Sequence, residues 1–261
     1  MSRTTGIIPS GDAFRPESLP LGRGVAVLAA DANGLLALEK PVHVLSHPNS
    51  SRDHGKSLLA AFYDLDEECY HWEEAGGIRR LWLLNRLDSA TSGVLLCAFD
   101  PAVAAAVRKE FASGRVRKKY HALVFGVPRN AKEQWTDSLS VERRGEKLRT
   151  RGGGNRKATV TVAEKKRYPG PPRVTLIELF PGTGRTHQLR VQCARRGLPI
   201  VGDRTYGRFP ANREFARGTG HKRLFLHCAE TELSYTLKGK TFRFEAKSPV
   251  PGAFRGPFEG V

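Results

Sequence analysis

The chain has 261 residues, enough for one large or two small domains with a real core, and its 43 Lys and Arg against 26 Asp and Glu leave a net charge of +17. An excess of that size points to a polyanionic partner and argues against an acidic or charge-neutral one. No apolar run approaches the roughly 18 residues of a membrane span, and the N-terminus lacks the core of a signal peptide, so a soluble protein that is not exported is expected.

In chain order, residues 1–22 are polar and rich in Gly and Pro, and are expected to form a flexible arm. Residues 23–261 are expected to form one domain. VAVLAA (25–30) reads as the first strand. LLALEKP (35–41) reads as a second strand that proline stops. The segment 56–70 carries Leu58, Leu59, Phe62, Leu65 and Cys69 at helical spacing and predicts an amphipathic helix. GVLLCAF (93–99) is apolar throughout, as in a buried strand. Residues 100–114 carry the full punctuation of a helix, with Asp100 as cap, Pro101 in the first turn, alanines in the body and Gly114 at the end.

RKKYHALVFG (117–126) predicts a strand, and the basic, glycine-rich stretch 143–157 a hairpin or mobile loop. Strands follow at 158–168 and 173–180, a helix at 185–197, and two final strands in RLFLHCAETELSYT and KTFRFEAK. Strands outnumber helices and regular β–α–β alternation is missing. The expected class is therefore α+β, a central mixed, largely antiparallel sheet flanked by helices and loops.

The charges are unevenly distributed. DLDEECYHWEE (64–74) holds six acids and no Lys or Arg, and reads either as a face turned away from the polyanion or as a solvated turn. Basic runs at 115–119 and 195–208 interleave with glycine and occasional aromatics, a pattern suited to structured or single-stranded RNA. The four cysteines lie far apart with no C-x-x-C, which suggests buried thiols in a reducing cytoplasm. His43, His47 and His54 cluster without metal-site spacing, so no metal is expected. PGTGRTHQLR (181–190) sets two glycines before a helix, where backbone amides could receive an anion, although an ordinary strand-to-helix turn explains the same residues. GDRTYGRF (202–209) has Arg and Phe where a nucleotide-binding loop requires Lys and Ser or Thr.

NRLDSATSG (85–93) places one carboxylate, Asp88, in a turn between apolar segments. Burial there would drive the acid toward its neutral form, so an ionised Asp88 needs a cation, for which Arg86, Arg185 and Arg190 are candidates. NRLDSATSGVLL, VRKKYHALVFG and GTGRTHQLRVQCARRGLPIVGDRTYG resemble, in order, the signature segments of the RluA-type RNA pseudouridine synthases, and LLALEKPVHVLSHP and RLFLHCAETEL resemble that family's entry segment and late strand. The resemblance covers about Leu35 to Phe244 and lacks the N-terminal S4-type module of many members.

The resemblance implies the pseudouridine synthase catalytic fold and the isomerisation of uridine to pseudouridine in ribosomal or transfer RNA, with no cofactor and no metal. It assigns catalysis to Asp88, Tyr120 and Arg190. Asp88 would act at the anomeric carbon or on the 2′ proton, Arg190 would keep it charged, and Tyr120 would stack on the uracil. Arg86 would fill the space of the flipped base. Arg86, Lys118, Arg185 and His187 form the expected RNA-binding group, with His187 and Gln188 also suited to hold their turn by hydrogen bonds. Asn85 replaces the histidine usual before R-L-D, a departure that bears on target selection more than on chemistry. A monomer is expected for want of a coiled coil or large apolar face. The competing reading is an RNA-binding or ribosome-assembly protein with little or no turnover.

Overall fold

A computed structural model describes residues 18–74, 77–144, 147–168 and 171–254 of the chain. Most of the expected arm, residues 1–17, lies outside them. The end of the arm is packed: Leu19 is buried and the Gly22 N–H donates to the Leu58 carbonyl at 2.8 Å. The chain divides into two compact units, residues 1–116 with 230–248, and residues 117–229 with 249–261.

The first unit contains β1 (Ala26–Ala30), β2 (Leu35–Lys40), β3 (Phe62–Asp64), β4 (Cys69–Glu74), β5 (Gly77–Leu83), β6 (Ser92–Ala98) and helix α1 (Pro101–Ala112). These strands pair antiparallel in the order β1-β2-β6-β5-β4-β3. Every residue of β6 and all but one of β2 are buried, because these central strands are covered on both faces and their unbroken apolar runs suit that position. Helix α1 forms as its sequence predicts. The Asp100 carboxylate accepts the Ala102 and Val103 N–H groups at 2.7 and 3.1 Å, and Val103, Ala104 and Val107 are buried.

The second unit contains β7 (Arg117–Phe125), β8 (Lys132–Arg144), β9 (Lys147–Gly152), β10 (Arg156–Tyr168), β11 (Val174–Pro181), helix α2 (Gln188–Arg195) and helix α3 (Phe209–Thr219). Its strands run antiparallel in the order β7-β11-β10-β8-β9. The basic stretch 143–157 is the β8–β9 hairpin and the start of β10, with its tip, 145–146, outside the described residues. Strand β12 (Leu226–Leu237) belongs to the second unit up to Ala229 and to the first from Glu230, where it pairs with β13 (Lys240–Lys247). The α+β class and the largely antiparallel sheet are as the sequence predicts.

The helix expected over 56–70 does not form. Residues 62–64 and 69–74 are strands, and the turn between them is shaped by Asp64, whose carboxylate accepts the Asp66 and Glu67 N–H groups at 2.8 and 3.0 Å, and by Glu68 in the left-handed region. A helix would stack these acids on themselves. The hairpin instead sets Glu74 beside Arg79 and Glu67 beside Arg80, at 3.0 and 2.9 Å.

Replacing Asp100 with Ala removes both cap hydrogen bonds and is expected to cost about 1 kcal/mol, read as a shift in the urea midpoint with unchanged slope.

Candidate active site

Asp88 lies in the first unit, on the turn that enters β6, and is half-buried, while Arg86 two residues before it is exposed. This irregular stretch lacks a strand partner along much of its length, so side chains satisfy its backbone. Asn85 Oδ1 accepts the Leu96 N–H at 2.8 Å, beside the Leu84 N–H bond to the Leu96 carbonyl at 3.0 Å. The Ser46 hydroxyl accepts the Leu87 N–H at 3.1 Å and donates to the Leu87 carbonyl at 2.8 Å. The Thr91 N–H closes the turn onto the Asp88 carbonyl at 2.9 Å. Asn85 thus has a structural task that an amide performs in full.

One residue past Asp88, the Ser89 carbonyl accepts two donors, the His43 N–H at 2.6 Å and Lys40 Nζ at 3.1 Å. Lys40 is fully buried, and its ammonium also donates to the Pro41 and Val44 carbonyls at 3.0 and 2.6 Å. The E-K-P-V-H segment after β2 is therefore tied to the R-L-D turn by a cation that supplies three bonds to main-chain oxygens. His43 takes part through its backbone. His47 stacks on Tyr63 with ring centroids 4.9 Å apart. Among the described residues no group of three or more His, Cys, Asp or Glu side chains is placed to hold a metal ion.

Lys118, Tyr120, Arg185, His187 and Arg190 all belong to the second unit. Lys118 and Tyr120 are two apart on β7 and so share a face. Tyr120 is buried. Lys118 Nζ lies against Gly184 of the P-G-T-G-R turn, 3.7 Å from where a β-carbon would stand, and burial lowers its pKa. The turn itself is closed by Gln188, whose Oε1 accepts the Thr183 hydroxyl and the Arg185 N–H at 2.7 and 3.0 Å and whose Nε2 donates to the Thr159 carbonyl at 3.0 Å. The Gly182 N–H goes to the same carbonyl, also at 3.0 Å. Of the two glycines the sequence set before the helix as a possible anion site, Gly182 has its amide spent inside the turn, as does Arg185 beside them. Arg185 projects exposed beyond it.

Arg190, in α2, is buried and forms a two-point ion pair with Asp203, Nε to Oδ2 at 2.8 Å and Nη2 to Oδ1 at 2.9 Å. Asp203 Oδ1 also accepts the Thr205 and Tyr206 N–H groups at 2.8 and 2.9 Å. Glycines flank this loop because nothing else fits. A β-carbon on Gly202 would stand 1.8 Å from the Arg223 carbonyl oxygen, and one on Gly207 2.1 Å from that of Asp203. The loop turns Tyr206 onto the site. Its ring lies under the Arg190 guanidinium, 5.2 Å from centroid to Cζ, and its hydroxyl binds the Thr150 N–H at 2.8 Å and His187 Nδ1 at 3.0 Å.

The Thr150 hydroxyl donates to the Thr186 carbonyl at 2.8 Å, so the basic β8–β9 hairpin is latched to the T-H-Q-L-R turn through a fully buried side chain. His187 holds a left-handed backbone (φ 51°) before α2 and serves this latch. Gln192 donates to Asp137 Oδ2 and to the Ala158 carbonyl at 2.9 and 3.2 Å, and Cys193 is a buried thiol whose pKa is raised by desolvation. The sequence had not singled out Asp203 or Tyr206. Their signal was the G-D-x-x-Y-G spacing itself, an acid and an aromatic ring between two glycines.

The fold is that of pseudouridylate synthase domain proteins. The human RNA Pseudouridylate Synthase Domain Containing 1 superposes with a TM-score of 0.64 at 20% identity, covering 90% of this chain and 86% of the other, and the human Domain Containing 4 protein with 0.62 at 21%, covering 88% and 90%. Residues 34–195 match the family model described as RNA pseudouridylate synthase. The chain is 32% identical over 233 residues to the ribosomal large subunit pseudouridine synthase C of Escherichia coli K12, spanning 84% of this chain and 67% of that one. It is 31% identical over 183 residues to the tRNA pseudouridine synthase C of Pectobacterium carotovorum, spanning 66% of this chain and about half, 48%, of that relative. The chain belongs to the RNA pseudouridylate synthase family.

Burial raises the Asp203 carboxyl, but Arg190 and the Tyr206 and Thr205 N–H groups more than offset it and hold its pKa below the ordinary carboxylate value. A depressed folded pKa contributes stability that is present above the unfolded value near 3.9 and lost as pH falls through the folded one. Asp203→Asn is expected to flatten that acid limb of the stability curve and to cost about 3–5 kcal/mol at neutral pH, since Arg190 would lose its buried counterion. Lys40→Met, which keeps the length and loses the donors, is expected to cost at least about 2 kcal/mol in urea unfolding.

Proposed function

We propose that this chain converts uridine to pseudouridine in structured ribosomal or transfer RNA in the cytoplasm, acting as a monomer without metal or cofactor, with Asp88 as the reacting carboxylate. The observation that carries the reading is the set of side-chain bonds around residues 85–91, which hold one acid at the entry to a buried strand on a strongly cationic chain. The reaction breaks N1–C1′, turns the uracil and bonds C5 to C1′, with loss of the C5 proton. Asp88 supplies an ionised oxygen beside the ribose, either to attack C1′ or to take the 2′ proton, and both routes require the carboxylate. The isomerisation consumes no water, so a second carboxylic acid of the glycosidase kind is not needed.

In this reading Arg190, whose Nε and Nη2 are directed at Asp203, is the counterion assigned to Asp88 by the resemblance. Tyr120 stacks on the uracil and assists removal of the C5 proton. A phenol hydroxyl is a weak base at neutral pH and acts best with a partner that accepts the proton. Arg86 occupies the space of the everted base. Lys118, His187 and the exposed Arg185, together with Arg149, Arg151 and Arg156 of the adjacent basic strands, meet phosphates, and the Thr150 latch keeps that strand pair in register with α2.

Wild-type protein is expected to release tritium from [5-³H]uridine-labelled cellular RNA, and Asp88→Asn to abolish release while retaining RNA affinity. Release by the variant would remove Asp88 from the chemistry. Absence of release by the folded wild type on every RNA tried would favour an RNA-binding protein without turnover.

A further inference from the structure

The basic run 195–208 leads into helix α3, and the cations along it divide by what they touch. Arg195 and Arg196 pair with Asp137 at 3.3 and 2.8 Å, and Arg196 lies over the Trp135 ring at 4.6 Å, so these two hold α2 to β8. Arg204, Arg208, Arg213, Arg217 and Lys222 behave differently. All five are exposed, and among the described residues no side-chain hydrogen bond, ion pair or ring contact engages them. Residues 204–222 hold a single acid, Glu214. Cations left without counterions repel one another and the rest of a +17 chain, and a polyanion relieves that repulsion.

The fold sets these cations beside an aromatic ring. Phe209, Arg213 and Arg217 are four residues apart along α3 and share one face, each about 6 Å beyond the last. Phe209 is 52% exposed. The opposite face is fixed, because Phe215 is buried and meets the Phe125 and Phe225 rings at 6.4 and 5.3 Å. Asn212 accepts the Gly202 N–H at 2.7 Å and donates to the Asp203 carbonyl at 3.0 Å, which pins the first turn of α3 to the loop that carries the counterion of Arg190. Phe209 follows Tyr206 by three residues, a chain length of about 11 Å at most.

A bare ring in line with unpaired guanidinium groups suits a nucleic acid strand, whose bases stack on the ring and whose phosphates meet the cations. Apart from Phe209 and Pro210 the outer face is charged or glycine, so it lacks the apolar stripe with which a helix enters a membrane surface or a protein groove. We infer that the outer face of α3 is a further RNA-binding surface, which takes a single-stranded segment flanking the target uridine. One base stacks on Phe209, Arg213 and Arg217 hold phosphates, and Arg204, Arg208 and Lys222 add to the field. The inference rests on the reading above for RNA as the substrate and gives α3 no part in the chemistry.

The probe is a fluorescein-labelled single-stranded RNA of about ten nucleotides, one strand of contact for this face, titrated with full-length protein and read by anisotropy over a range of salt, with the duplex of the same sequence alongside. Wild type is expected to bind the single strand. Arg213→Gln combined with Arg217→Gln is expected to lower the slope of log affinity against log salt by about 1.4, at about 0.7 for each phosphate of a single strand. Phe209→Ala is expected to weaken the single strand by about tenfold with the slope kept and the duplex little affected, and Phe209→Trp to restore the affinity. In tritium release, Phe209→Ala is expected to raise KM for RNA with little change in kcat. Lys238→Gln combined with Lys240→Gln, on the exposed β12–β13 turn, removes the same charge and is expected to leave the slope and KM near wild type. All the replaced side chains are exposed, so every variant should keep the wild-type urea midpoint.

An unchanged slope in the double arginine variant, or a Phe209→Ala protein that binds the single strand as wild type does or loses the duplex equally, would overturn the inference. Tritium release by the wild type would leave the proposed reaction standing in that case. The expected losses in a protein that releases no tritium would support the surface and remove the reaction. Wild-type binding to phosphatidylserine vesicles that the variants lose, with RNA affinity kept, would give the face to a membrane and overturn the inference.

Discussion

The buried pair between Arg190 and Asp203 is the constraint around which the second unit is arranged. A guanidinium withdrawn from water must find fixed oxygens or become a large cost, and the G-D-x-x-Y-G loop supplies them at 2.8 and 2.9 Å. Meeting that demand decides much else. The loop must approach the Arg223 carbonyl closely, which requires glycine at 202, and it must carry Tyr206 under the guanidinium. From Tyr206 the arrangement extends to His187 and Thr150, so one ion pair orients a helix, a turn and the base of a cationic hairpin. Because Asp203 satisfies two nitrogens of Arg190, α2 presents its arginine in one fixed orientation, and any further contact inherits that geometry.

The first unit solves the matching problem with an ammonium. The chain from Asn85 to Thr91 has few ladder partners, yet it lies beside strands that are fully buried. Each exposed main-chain group must be answered by a side chain, and Asn85, Ser46 and Lys40 do so. Lys40 is well suited because three carbonyls around one ammonium leave none of its protons unused. The same bookkeeping explains why asparagine stands before R-L-D without disturbing the turn. The position needs an acceptor for the Leu96 N–H, and an amide oxygen provides one.

How much of this was legible in the sequence depended on whether the signal was local. Helix α1 carries its own cap, proline and terminal glycine, and it forms as predicted. The strands of 93–99, 117–126 and 158–168 declare themselves by apolar runs or alternation, and the third signature segment delivers Arg190 to a buried site. Residues 56–70 fail because helical spacing of apolar residues is also what a bent hairpin with a short outer strand shows in projection. Repulsion among acids and the side-chain turn at Asp64 decided the outcome. The thirteen-residue strand β8 and helix α3 were passed over because polar residues dilute their patterns. Asp203 stands in a loop that reads in the sequence as a basic, glycine-punctuated run within the third resembling segment, where one acid draws no attention. What identifies it is a partner thirteen residues away in the chain, and pairing of that kind is settled by the fold.

The overturned helix also changes the meaning of the charge pattern. In a helix, Phe62 and Leu65 would have been core, and the acids beside them a solvated back face. In the hairpin those side chains lie at the surface, Phe62 stacks on His71, and Arg79 and Arg80 neutralise only part of the acidic excess. A chain that gathers RNA by long-range attraction gains from keeping carboxylates away from its phosphate-tracking strands, since each misplaced acid subtracts from the field there. Segregating six of them into one ribbon meets that need. The sequence feature that looked least connected to the chemistry is thus tied to it by charge balance, because the acids withdrawn into this ribbon leave the field along the basic strands undiminished.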